Sequence, residues 1–248
     1  MEVSNAERIP HAWKTLYRLA AVAALLMNAI IIAQLIVFMI APPPLEGSAT
    51  DWFNLFQKNK LVGLVDFELL MIIYSLISIP IVLCLYHALR QTDSAFTALY
   101  VVLSLIGVVC FIAARPAFEM LFLSNQFAAA TDEMQRSAIL AAGEATVAAF
   151  HGTAFHVSYV LGSITGLIIS LVMLRSHVFS RGTAYVRIGS SVFDFGLYIP
   201  VVGVYLSIFS VLFLFVWNIM IARRLLQLVR SPSEQPRARH RSPAVRPL

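Results

Sequence analysis

Six ionisable side chains lie in or beside long apolar runs, where a charge is costly: Glu68, Arg115, Glu119, His151, His156 and Asp194. In a hydrocarbon setting such groups pair with one another, line a polar path or meet a ligand. Glu68, Asp194 and one of the two histidines could relay protons or bind a polar molecule, with Arg115 and Glu119 at the mouth of the pocket. Two imidazoles could instead hold zinc and activate water, which would make a metal-dependent intramembrane hydrolase. The spacing counts against that reading. His156 is five residues beyond His151, about 140° around a continuous helix, so both reach one metal only if the helix breaks at Gly152-Thr153. No HExxH sequence is present and no third histidine falls near this pair. No cofactor is expected, zinc at His151 and His156 being the alternative.

The elements that carry these residues are apolar helices. The chain is 59% hydrophobic and 12% charged, with 18 Lys and Arg against 13 Asp and Glu. Its mean hydropathy of +0.81 is outside the balance of a soluble domain. A membrane span needs roughly 20 predominantly apolar residues. Spans are expected over 19–40, 61–85, 96–114, 154–174 and 201–222, and a shorter, more polar one over 185–199. The first run is too long for a signal-peptide core and leads into Pro42-Pro43-Pro44. Charge decides the sixth span. With it, only Lys58, Lys60, Arg115 and Arg136 of the 18 Lys and Arg lie outside. Without it, the arginines from Arg223 onward would lie outside too, against the positive-inside bias. The fold class is therefore all-α: an integral membrane bundle of six helices over 1–230, both termini inside. Residues 231–248 form a disordered basic cytoplasmic tail.

Local patterns refine the bundle. Thr131-Asp132-Glu133 starts a helix, and the segment 115–150 reads as an outer helical lid between spans three and four. Pro80 kinks the second span. Gly162 and Gly166 form a GxxxG pair suited to close helix contact. Asp66 and Glu68 are about 200° apart on a continuous helix, so Glu68, which shares a face with Ser75, points inward and Asp66 toward the membrane interface. Glu144, Ala148, His151, Phe155 and Ser158 share a face if the helix runs through Gly152. Arg187, Ser191, Asp194 and Tyr198 form a polar stripe, with Arg187 at the inner edge. Arg115 and Glu119, one turn apart, could pair. Asn28, Gln34 and Asn218 read as interhelical hydrogen-bond partners. Trp13, Trp52 and Trp217 read as interface anchors. Cys84 and Cys110 lie inside apolar runs, as small buried residues. His87 and His177 lie in inner loops, beside arginines.

The stretches "VDFELLMIIYSLISIPIVLCLYHALRQTD", "AAGEATVAAFHGTAFHVSYVLGSITG" and "MLRSHVFSRGTAYVRIGS", the last leading to "GLYIPVVG", carry a resemblance. From Leu61 through Gly203 the chain resembles the bacterial membrane proteins grouped as domain of unknown function 4386. The resemblance implies a multi-span membrane protein and supplies no catalytic residue, and the expected location is the cytoplasmic membrane. The expected function is a non-enzymatic membrane protein with an outward-facing polar pocket, for ligand sensing, binding or small-solute handling. The alternatives are a structural membrane component whose polar residues only lock helices together, and the hydrolase above. The expected partners are the lipid bilayer and, at the basic tail, anionic headgroups, not nucleic acid.

Overall fold

The computed structural model describes residues 11–230, and the basic tail lies outside them. The described residues contain helices and no strand. In chain order the helices are α1 (His11–Ile40), α2 (Ala49–Lys58), α3 (Lys60–Asp66), α4 (Leu69–Leu89), α5 (Ser94–Ala113), α6 (Ala117–Ala129), α7 (Glu133–Phe150), α8 (Thr153–Arg175), α9 (Arg181–Phe195) and α10 (Gly203–Arg230). Five helical stretches are long and apolar enough to cross a membrane; they lie on α1, α4, α5 with α6, α7 with α8, and α10. At 15 residues α9 is shorter than these.

Six helices close a ring. α1 packs on α4, α4 on α5, α5 on α8, α8 on α9, α9 on α10, and α10 returns to α1. Their outward faces carry apolar side chains at helical spacing: Leu19, Val22 and Leu26 on α1, Val102, Ile106 and Val109 on α5, Ile208, Leu212 and Val216 on α10, all exposed. Water would penalise that belt, whereas lipid accepts it. The ring is filled at the end where α1 begins. There Tyr17, Leu85, Met173, Ile221 and Leu225 form a packed core.

At the opposite end α2, α3, α6 and α7 make a second layer with its own apolar core of Trp52, Phe53, Phe56, Phe67, Met120 and Phe150. Local chemistry starts each of its helices. Ser48 and Asp51 form a capping box on α2, and the Glu144 side chain on α7 accepts from the Ala49 N–H at 2.9 Å. Asn59 caps α3 by accepting from the Leu61 and Val62 amides. Asp132 caps α7, as Thr131-Asp132-Glu133 suggested. Pro116 precedes α6, where its missing N–H costs nothing.

The structure corrects several expectations. The run 61–85 is not one helix, because the chain breaks between α3 and α4 at Glu68, whose φ of 63° is left-handed. The angular argument for Asp66 and Glu68 fails with it. Asp66 is fully buried and does not reach an interface. Trp52 is wholly enclosed by the second layer, and Trp217 is 6% exposed inside the ring, so neither is an interface anchor. Both are among the largest apolar surfaces in the chain, and burial gains more than an interface offers. His87 belongs to the last turn of α4 and stacks on Trp13 at 4.0 Å. The polar pairing across the ring is as expected: Asn218 Nδ2 donates to Asn28 Oδ1 at 2.8 Å, and Asn28 Nδ2 to the Phe215 carbonyl. Gln34 Nε2 donates to the Val65 carbonyl, tying α1 to α3.

Candidate functional site

Inside the ring, between the filled end and the second layer, lies a cavity of about 540 Å³. That volume is typical of small-molecule sites. All six ring helices contribute to its wall, which is mostly apolar, with Ile31, Val108, Phe111, Val211 and Leu214 among its residues. Three of its hydroxyls are engaged by their own helices: Ser78 donates to the Ser75 carbonyl at 2.7 Å, Ser158 to Phe155 at 2.7 Å and Thr165 to Gly162 at 3.1 Å. Such bonds let a polar residue sit in an apolar wall at little cost.

Four charged residues line the cavity: Glu68, Arg115, Arg187 and Asp194. Arg115 sits at the junction of α5 and α6 and is 5% exposed. Its Nε donates to Glu68 Oε2, at the junction of α3 and α4. Its guanidinium lies over the rings of Phe111, Phe150 and Phe155, with the centroids 4.5, 4.6 and 5.0 Å away. Phe150 ends α7 and Phe155 begins α8. One guanidinium therefore touches three of the connections between the ring and the second layer, combining an ion pair with cation–π contacts. The pairing of Arg115 with Glu119 does not form; Glu119 is exposed beside Phe118 and Phe122 on the surface of α6.

Asp194 accepts hydrogen bonds from Ser210 on α10 and from Tyr159 on α8, the latter at 3.4 Å, while Tyr159 also bonds Ser207. Hydroxyl residues of this kind carry no signal in an apolar run, so sequence reasoning misses Tyr159, Ser207 and Ser210. Arg187 lies two helical turns from Asp194, about 10 Å along α9 toward the filled end. The sequence places it at the inner edge, yet it faces the cavity beside Trp217, 5.3 Å from the ring centroid. Gly166 permits this: a Cβ there would overlap Ser191 Oγ and stand 2.9 Å from the Arg187 guanidinium carbon.

Neither histidine lines the cavity. The helix does break at His151-Gly152, leaving His151 exposed at the end of α7 against Phe150. His156 is exposed on α8, with Nδ1 3.2 Å from the Tyr198 hydroxyl. Among the described residues no group of three or more His, Cys, Asp or Glu could hold a metal ion.

Asp66 stands apart from these pairs. It is fully buried, and neither carboxylate oxygen has a hydrogen-bond partner among the described residues. Burial raises its pKa from 3.8 to about 6. The fold thus favours the protonated form. Its contribution to stability is complete below about pH 3.8 and is lost as pH rises through about 6. Asp66→Asn is expected to stabilise the protein relative to wild type by about 2 kcal/mol at pH 8 and by little at pH 4. Thermal unfolding of both proteins across that range checks it, and a pH-independent difference would contradict it.

Comparison of the chain with protein-family models, curated protein sequences and solved structures finds no match.

Proposed function

We propose that the chain is a polytopic protein of the cytoplasmic membrane that takes a small molecule into the cavity of its helical ring. The supporting observation is the partly open cavity of about 540 Å³ beneath the second helical layer. In this reading all six ring helices cross the bilayer, both termini face the cytoplasm, and the second layer is an outer lid over an outward-facing pocket. The distribution of Lys and Arg supports that orientation. The short, polar α9 is flanked by α8 and α10 and turns the apolar Val192 outward, with Tyr185. Membership of the group named domain of unknown function 4386 belongs to the same proposal and rests on the quoted motifs.

A structural role is the second reading, favoured by the pairing of Asn218 with Asn28 and of Arg115 with Glu68. The two differ in access. A Ser104→Cys protein with Cys84 and Cys110 replaced by alanine is to be reconstituted and treated with a small water-soluble thiol reagent. Ser104 lines the cavity, and the Cβ position of Gly162 has no neighbour within 4 Å. Labelling from the outer face, blocked by a further Gly162→Trp change, is the expected result. An inert thiol at position 104 would leave only the structural role.

A further inference from the structure

The charges of the cavity are unequally provided for. Glu68 and Arg115 neutralise each other, and Asp194 has two hydroxyl donors. Arg187 has no carboxylate within ion-pairing distance among the described residues. A guanidinium carries five N–H donors and stays charged at any accessible pH. Arg187 makes two long bonds, Nη1 to Ser190 Oγ at 3.2 Å and Nη2 to the Gly162 carbonyl at 3.3 Å. Beside it, the indole Nε1 of Trp217 is buried with no acceptor among the described residues. A buried N–H without a partner is uncommon and calls for an acceptor. The floor of the cavity therefore has surplus donors and a permanent positive charge, whereas the wall above it is apolar.

We infer that this floor is an anion site, and that the ligand is a free medium-chain organic carboxylate. Its head accepts from Arg187 and Trp217. Its hydrocarbon body lies along Met27, Ile31, Val108, Phe111, Val211 and Leu214. A carboxylate matches the planar fork of a guanidinium in two parallel bonds. A two-chain phospholipid is too large for the volume, and an inorganic anion would leave the apolar wall uncovered. Of the two carboxylates nearer the second layer, Glu68 is neutralised by its ion pair with Arg115, and Asp194 stands two helical turns away from Arg187.

The inference rests on the accessible cavity proposed above, and its test uses the same Ser104→Cys protein in lipid nanodiscs. Octanoate is titrated as a protectant against the thiol reagent, beside octanol and octylamine, which share its chain without the anion. Octanoate is expected to protect at a concentration about tenfold or more below octanol. Arg187→Gln should remove that advantage, Arg187→Lys should keep part of it, and Trp217→Phe should weaken protection several-fold. Asp194→Asn should leave the preference for the anion in place. Equal protection by octanol, or an octanoate preference that survives in Arg187→Gln, overturns the anion site. If Arg187→Gln does not fold, unchanged protection in both Arg187→Lys and Trp217→Phe overturns it as well. An introduced thiol labelled freely in the presence of every probe also overturns it while leaving the cavity reading intact. An introduced thiol that never reacts defeats the cavity reading itself.

Discussion

Glu68→Ala is expected to destabilise the protein by about 3 kcal/mol, because it leaves the Arg115 guanidinium buried with no anion. Arg115→Met should cost less. The carboxylate it strands is partly exposed, 23% against 3% for the arginine side chain, and a methionine still fills space between Phe111, Phe150 and Phe155. The double variant should therefore be more stable than the sum of the two losses by at least about 1 kcal/mol. Unfolding midpoints of the four proteins in one detergent measure this coupling. Additive losses would mean that the pair contributes nothing as a pair, and that the two junctions are held by apolar contacts alone.

The second large effect separates two glycines that look equivalent in the sequence. Gly166→Ala is expected to cost about 1–3 kcal/mol, since its Cβ would enter the space of Ser191 Oγ and the Arg187 guanidinium. Gly162→Ala meets no atom within 4 Å and should be neutral, or stabilising by up to about 1 kcal/mol through helix propensity. The pair is therefore not a symmetrical contact seam. Gly166 makes room for α9, and Gly162 leaves a hollow in the cavity wall and lends its carbonyl to Arg187. Equal losses for both substitutions, read as unfolding midpoints, would contradict this division.

The apolar helices were legible because lipid-facing and core-facing residues both register as hydropathy, so length alone marks them. The break at Glu68 was not. Nothing between Val62 and Ile72 is glycine or proline except Gly63, which lies inside α3, and the left-handed turn falls on a glutamate. Continuous hydropathy across that joint hid a helix boundary and reversed the reading of Asp66. α2 carried a usable signal, a capping box at Ser48 and Asp51 followed by Trp52, Phe53 and Phe56, but a short amphipathic helix is invisible to a window tuned to spans. Of the candidate site residues, Glu68, Arg115 and Asp194 meet the cavity, while Glu119, His151 and His156 do not line it. The histidines and Glu119 lie on segments where the chain leaves the ring, and helical angles measured along a continuous helix lose their meaning across those joints. Arg187 was misplaced for a different reason: the expected span begins at 185, whereas α9 begins at Arg181, which puts Arg187 near the middle of the helix, where it lines the cavity.

A ring that closes only through α1 and α10 does not exist until its last helix is made. With five members in place the assembly is a horseshoe. Asn28 then has neither Asn218 nor the Phe215 carbonyl, Asp194 lacks Ser210, and Arg187 has no Trp217 beneath it. In a bilayer these groups would line an open seam facing hydrocarbon, where unsatisfied polar groups are costly. The residues that equip the cavity take their partners from α10, so the cavity and the closed ring are completed together.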